Sequence, residues 1–159
     1  METYHVGLIA LGFFALFILF AFLSWRRKIK AQEKVVSKPQ AIEDSGNGLR
    51  CFYVATTFAG RPLDRVIAHG LAHRGHAGLL VTSEGVQVSR TGEVGFLIPS
   101  SDLLEVSKGA AVIDRVVEKE GLVVLRWRLG STELETHFRF VDAQLRSAAL
   151  AALSSLAGS

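Results

Sequence analysis

Between Ala59 and Ala77 the chain reads AGRPLDRVIAHGLAHRGHA, nineteen residues that gather Arg61, Asp64, Arg65, His69, His73, Arg74 and His76. His69, His73 and His76 are spaced i, i+4 and i+7, which on a continuous helix would line one face and offer imidazoles to zinc. Gly70 and Gly75 interrupt such a helix, and neither a cysteine nor a well-placed carboxylate completes a ligand set. The expectation is therefore polar or partly buried loop histidines, with no metal and no cofactor. Arg61, Arg65, His73 and Arg74 are the candidate contacts to a partner or to an anionic headgroup, because a guanidinium offers bidentate geometry to phosphate or carboxylate. The competing expectation is that these arginines pair with Asp64 or Asp114 or stay solvated.

Nucleophilic chemistry finds no support in the pattern. There is no G-x-S-x-G elbow, no G-x-x-x-x-G-K-[ST], no G-x-G-x-x-G after a strand, and no pair of convergent carboxylates. Cys51 precedes an aromatic strand, and His137 falls on the outward face of another. No catalytic residue is expected, and the chain reads as a non-enzyme.

The segments that must position the 59–77 stretch read mainly as strands. Residues 51–58 (CFYVATTF) are aromatic and β-branched, 79–90 (LLVTSEGVQVSR) form two short strands about Glu84-Gly85, and FLIP (96–99), LLEV (103–106) and VIDRVV (112–117) follow between turn residues. The 59–77 stretch is then a long loop between the first two strands, and long loops in compact domains are often functional. At 122–140, LVVLRWRL meets TELETHFRF across Gly130-Ser131. Glycine at the first central position suits a two-residue type II′ hairpin, so Leu129 pairs with Thr132, Arg128 with Glu133, Trp127 with Leu134 and Arg126 with Glu135. A slip of one residue would set Trp127 opposite Glu133, so charge and hydrophobicity specify the same register. Asp142 then caps a helix over 143–157 that presents Leu145, Ala149, Leu153 and Leu156 on one face, and Gly158 and Ser159 end it.

The N-terminal end is of another kind. From Val6 to Leu23 eighteen residues carry no charged or strongly polar side chain. As a helix they cover roughly 27 Å, near the hydrocarbon thickness of a bilayer. Tyr4 and Trp25 bracket the run at interface positions. Arg26, Arg27, Lys28, Lys30, Lys34 and Lys38 follow, whereas Glu2 and His5 are the only acidic or basic side chains before it. Positive-inside then places the N-terminus outside and the rest in the cytoplasm, as a single-pass plasma-membrane protein; a cleaved signal peptide would carry its charges on the other side. The lone Cys51 suits a reducing compartment. The chain divides into an anchor at 1–25, a basic juxtamembrane linker at 26–49 and a domain at 50–159. Of the net charge of +3, the linker carries six basic and three acidic residues and the domain twelve basic and eleven acidic. So balanced a domain excludes a nucleic-acid face. If flexible, the 24-residue linker reaches roughly 27 Å root-mean-square.

About seven short antiparallel strands and one C-terminal helix in a partly open barrel or sandwich is the arrangement of pleckstrin-homology-like (PH-like) domains. The chain resembles small actinobacterial single-pass membrane proteins with a bacterial PH-like domain, often named as transport or export membrane proteins. The stretches that carry the resemblance are YVATTFAGRPLDRVIAHGLAHRG (53–75), VTSEGV (81–86), FLIPSSDL (96–103) and AVIDRVVEKEGLVVLRWRLGSTELETHFR (111–139). The resemblance implies a fold and a topology and carries no activity onto particular residues. The leading expectation is a membrane-tethered interaction or scaffolding module with a protein partner, the bilayer being contacted through the N-terminal helix. The alternatives are an anionic-headgroup binder, although the alternating Lys/Arg pattern of phosphoinositide-specific PH domains is not evident, or an accessory subunit of a transport complex. A solitary helix encloses no pore, so transport by this chain alone is excluded.

Overall fold

Ala31, Gln32, Glu33 and Lys34 are strong helix formers, and they continue a helix already nucleated in the apolar run, so the nucleation cost is not met again. The computed structural model, which describes residues 2–43, 47–109 and 122–157, accordingly carries helix α1 from Glu2 to Val35. It ends four residues short of Pro39. The expected linker is thereby corrected: residues 26–35 are helix, Val36 is fully buried in the domain core, and Gln40–Ile42 form a strand, β1. Within α1, Val6 and Leu23 bound a run of apolar side chains that no other part of the chain covers. It is long and apolar enough to cross a membrane.

The other strands are β2 (Leu49–Phe58), β3 (Arg61–Arg65), β4 (Gly75–Val81), β5 (Gly85–Arg90), β6 (Glu93–Pro99), β7 (Leu103–Gly109), β8 (Leu122–Leu129) and β9 (Thr132–Arg139), followed by helix α2 (Ala143–Ala157). They pair antiparallel in the order β1-β6-β5-β4-β2-β9-β8-β7, with β3 alongside β2. The expected strand at 112–117 and the end of the chain at 158–159 lie outside the described residues. The sheet folds over on itself. Phe96 of β6 stacks on Trp127 of β8 at 5.9 Å although three other strands and β9 separate their positions along the order counted through β5, β4 and β2. Tyr53 meets Phe96 and Phe138 edge-on at 6.4 and 6.0 Å in the same core. Helix α2 lies against β7, β4 and β2, burying Ala149 and Leu153. The result is a partly open, mainly antiparallel PH-like barrel closed by a C-terminal helix.

Local chemistry accounts for the joints. The β8–β9 register is the expected one at every pair from Arg126↔Glu135 to Leu129↔Thr132, and Gly130 takes the positive φ of 63° that the turn requires. The ion pair, however, runs diagonally, from Arg126 Nη2 to Glu133 Oε2 at 2.6 Å. Asp142 Oδ1 accepts the Gln144 amide at 2.7 Å and caps α2. At the sheet edge, β1 lies on β6 with Ile42 opposite Gly95, where a Cβ would stand 2.9 Å from Ile42 Cγ1 and 2.9 Å from the Val88 carbonyl oxygen.

Candidate functional site

The expected 59–77 loop does not exist as a loop. Its first third is β3, paired with β2 at Phe58↔Arg61 and Thr57↔Arg65, and its last residues open β4. Between them Val66, Ala68 and Leu71 are fully buried around a single 3-10 turn, Ala68–Gly70. Apolar residues at 66, 68 and 71 were the available signal, and the surrounding arginines and histidines masked it.

Two polar devices fix this segment to the core. Trp127 Nε1 donates to Thr136 Oγ1 at 2.9 Å, and Tyr53 donates its phenolic proton to the Leu71 carbonyl at 2.8 Å. Because Tyr53 has spent its proton, Thr56 must donate to Tyr53 at 2.7 Å, and Thr136 to Thr56 at 2.9 Å. The four side chains therefore form one directed chain, each fully buried, ending on the backbone of the segment. Burial pushes the Tyr53 hydroxyl up to about 12, the Thr56 bond and the Arg90 charge opposing this. The second device is Arg90, 5% exposed, which donates to the Gly70 carbonyl at 2.8 Å and twice to the Val94 carbonyl at 3.2 and 2.6 Å. Its guanidinium lies 5.3 and 5.4 Å from the Tyr53 and Phe96 rings. Burial lowers its pKa, while Tyr53 and Glu93 act in the opposite sense.

So held, the segment is a socket, and the end of α1 fills it. The Gln32 amide brackets the backbone: Nε2 donates to the Arg65 carbonyl at 3.1 Å while Oε1 accepts the Ile67 amide at 2.7 Å. Val36 is 0% exposed. His69, in the left-handed region at φ 54°, donates from Nε2 to the Val36 carbonyl at 2.8 Å, a contact that offsets a backbone cost of about 1–3 kcal/mol. Thr132 donates to the Val35 carbonyl at 3.0 Å, so the β8–β9 turn completes the clamp.

The sequence-derived candidates fall into separate places. Arg61 pairs with Asp64 at 3.1 Å and lies 4.8 Å over the Phe58 ring. Arg65 contributes its carbonyl to the Gln32 bracket. His73 lies 3.3 Å from Glu93, and Arg74 is exposed with no ion pair among the described residues. The first and third therefore have carboxylates of their own, and the four do not form one cation cluster. The three histidines likewise diverge: His69 to Val36, His73 to Glu93 and His76 edge-on to Phe52 at 5.6 Å. Cys51 is buried, its thiol pushed up to about 12 by burial, and donates to the Ala77 carbonyl at 3.6 Å. His137, bonded to Thr57 at 3.2 Å, has its pKa lowered chiefly by burial.

The strand order with one closing C-terminal helix is decisive when set beside the family comparison. Residues 32–154 match the family described as Bacterial PH domain-like. The chain belongs to the bacterial PH domain-like family. The match begins at Gln32, the residue that makes the bracket, so the family unit takes in the last turn of α1 as well as the barrel. Neither the curated proteins nor the solved structures yield a match. Relative to the strands and helix that the sequence led us to expect, the described residues of this PH-like domain carry two additional short strands: β1, from the segment expected to be a linker, and β3, from the stretch expected to be a loop.

Proposed function

We propose that this protein is a single-pass, membrane-anchored interaction module whose PH-like domain, on the cytoplasmic side of the plasma membrane, is held at a fixed attitude by its own anchor helix. The single observation that carries this is the Gln32 bracket together with the full burial of Val36. Gln32 lies seven residues beyond Trp25, about 10 Å along a helix. A tether that short and that ordered presents the same surface at the same height to anything else in the membrane. The basic run Arg26 to Lys34 on the exposed helix supports the orientation and adds attraction to anionic headgroups of about 1 kcal/mol per charge.

The test is crosslinking capture of the full-length protein from its own membranes, beside a variant with Gly-Gly-Ser inserted between Lys30 and Ala31. The insertion leaves the socket filled and releases the attitude. A discrete partner recovered with the first and lost with the second supports the proposal; equal recovery removes the fixed attitude from the account. A second reading, headgroup contact by the domain, draws on Leu63, 79% exposed at the tip between Arg61 and Arg65. It predicts salt-sensitive lipid enrichment without any protein partner.

A further inference from the structure

The outer face of the sheet is divided by charge. Near the Gly130 turn, Glu133 and Glu135 of β9 stand opposite Arg128 and Arg126 of β8, and Arg126 is bonded to Glu133. Farther along the same strands one cross-strand row runs Leu122, Arg139, Phe52, His76 through β8, β9, β2 and β4. The Arg139 guanidinium carbon lies 5.5 Å from the Phe52 ring centroid, and the His76 ring meets that ring edge-on. Arg50, exposed and two residues back along β2 on the same face, lines a hollow with His76, Gly78 and Thr91. Among the described residues no carboxylate stands within ion-pair distance of Arg50, His76 or Arg139. Arg139 Nε, moreover, is buried with no hydrogen-bond partner among the described residues.

We infer that this row is the docking site for an acidic segment of a protein partner, one carboxylate bonding Arg139 and Arg50 while an adjacent apolar side chain rests on Phe52. The inference deepens the proposed function by naming the surface and the chemistry of the partner. Arg139 is only partly buried, so a carboxylate can meet the terminal nitrogens of its guanidinium, and charge-assisted pairs of this kind are among the stronger hydrogen bonds. An aromatic ring flanked by arginine is also the composition enriched at the centres of protein interfaces. A lipid occupant is disfavoured by position. Phe52 lies five positions along β2 from Thr57, the partner of Arg65 in β3, so the row stands roughly 16 Å along the strand from the Gln32 bracket that holds the anchor.

The experiment is an amide chemical-shift titration of the full chain in nanodiscs of zwitterionic lipid. The probes are the peptide acetyl-Glu-Glu-Phe-Glu-Glu-Leu-amide, its all-Gln counterpart, inorganic phosphate and, with no peptide added, nanodiscs of anionic lipid. The acidic peptide should shift the amides of Phe52, His76 and Arg139, and the Gln peptide should not. Arg139→Gln should weaken the binding about tenfold or more. Arg50→Gln, on an exposed side chain, should weaken it roughly threefold and serves if loss of the Arg139–Phe52 packing unfolds the first variant. No shift, or equal shifts with the Gln peptide, overturns the inference. Shifts with phosphate but not with the peptide, or with anionic nanodiscs alone, overturn it in favour of a phosphate or lipid site. None of these results alters the insertion experiment, so failure here and failure of the fixed-attitude reading are separable.

Discussion

Replacing Gln32 by alanine removes both arms of the bracket. The Ile67 amide loses its 2.7 Å acceptor and the Arg65 carbonyl its 3.1 Å donor, in a part-buried setting. Two such bonds contribute together about 2 kcal/mol. Burial of Val36, on the order of 1.5–3 kcal/mol, remains, as do the His69 and Thr132 bonds to the end of the helix. The joint should therefore loosen without dissolving. Ile67 is itself the reporter, because its amide proton is the one held by Gln32. Hydrogen exchange at Ile67 should accelerate about thirtyfold in Gln32→Ala, the factor corresponding to about 2 kcal/mol, while amides around Trp127 keep their parental rates. Gln32→Glu retains an acceptor for Ile67 but sets a carboxylate against the Arg65 carbonyl, so it should protect Ile67 better than alanine and still open the Arg65 side. An unprotected Ile67 in the parent, or an unchanged rate in Gln32→Ala, would refute the bracket.

Three further outcomes follow from the same geometry. Thr136→Val strands the Trp127 indole N–H and breaks the directed chain to Leu71, so stability should fall by about 1–3 kcal/mol with an unchanged urea slope. Stability should also depend on pH at both ends. Cys51 and Tyr53 have folded values raised from 9.0 and 10.0 to about 12, so the unfolded chain loses those protons first and stability declines as pH rises from about 9 towards 12. His137 has its folded value lowered, so the unfolded chain takes up a proton first as pH falls below 6.5 and stability declines there; His137→Gln should flatten that limb. Gly95→Ala sets a methyl 2.9 Å from both the Ile42 side chain and the Val88 carbonyl, so it should destabilise by about 1–3 kcal/mol in urea titration, and Ile42→Ala should restore only part of the loss.

Legibility in the sequence tracked how local the determining physics was. The β8–β9 register was readable because Gly130, the alternating apolar face and the opposed charges all act within eighteen residues of one another. The α2 helix was readable from Asp142 and its Ala/Leu face. The socket was not, because its parts lie far apart: Gln32 meets Arg65 and Ile67 across more than thirty residues, and Thr132 meets Val35 across 97. Polar composition made residues 26–49 resemble a linker, although Ala31 to Lys34 had the propensity to prolong α1 and Val36 the hydrophobicity to end in a core. In the 59–77 stretch, Arg61 and His73 invited a ligand, but each had a carboxylate of its own at Asp64 and Glu93. Arg139 and Phe52 drew no attention because only the strand order brings them together.

A fixed attitude requires anchor and domain to move as one rigid body. It is tested most directly by a pulsed electron-spin distance measurement in lipid nanodiscs between nitroxides at Lys30→Cys and Ser101→Cys, both exposed positions. Native Cys51 stays silent, being buried with its thiol protonated at labelling pH. A rigid joint gives one narrow distance distribution, broadened by Gln32→Ala. A broad distribution in the parent, such as a flexible tether between Lys30 and the domain would give, would contradict it.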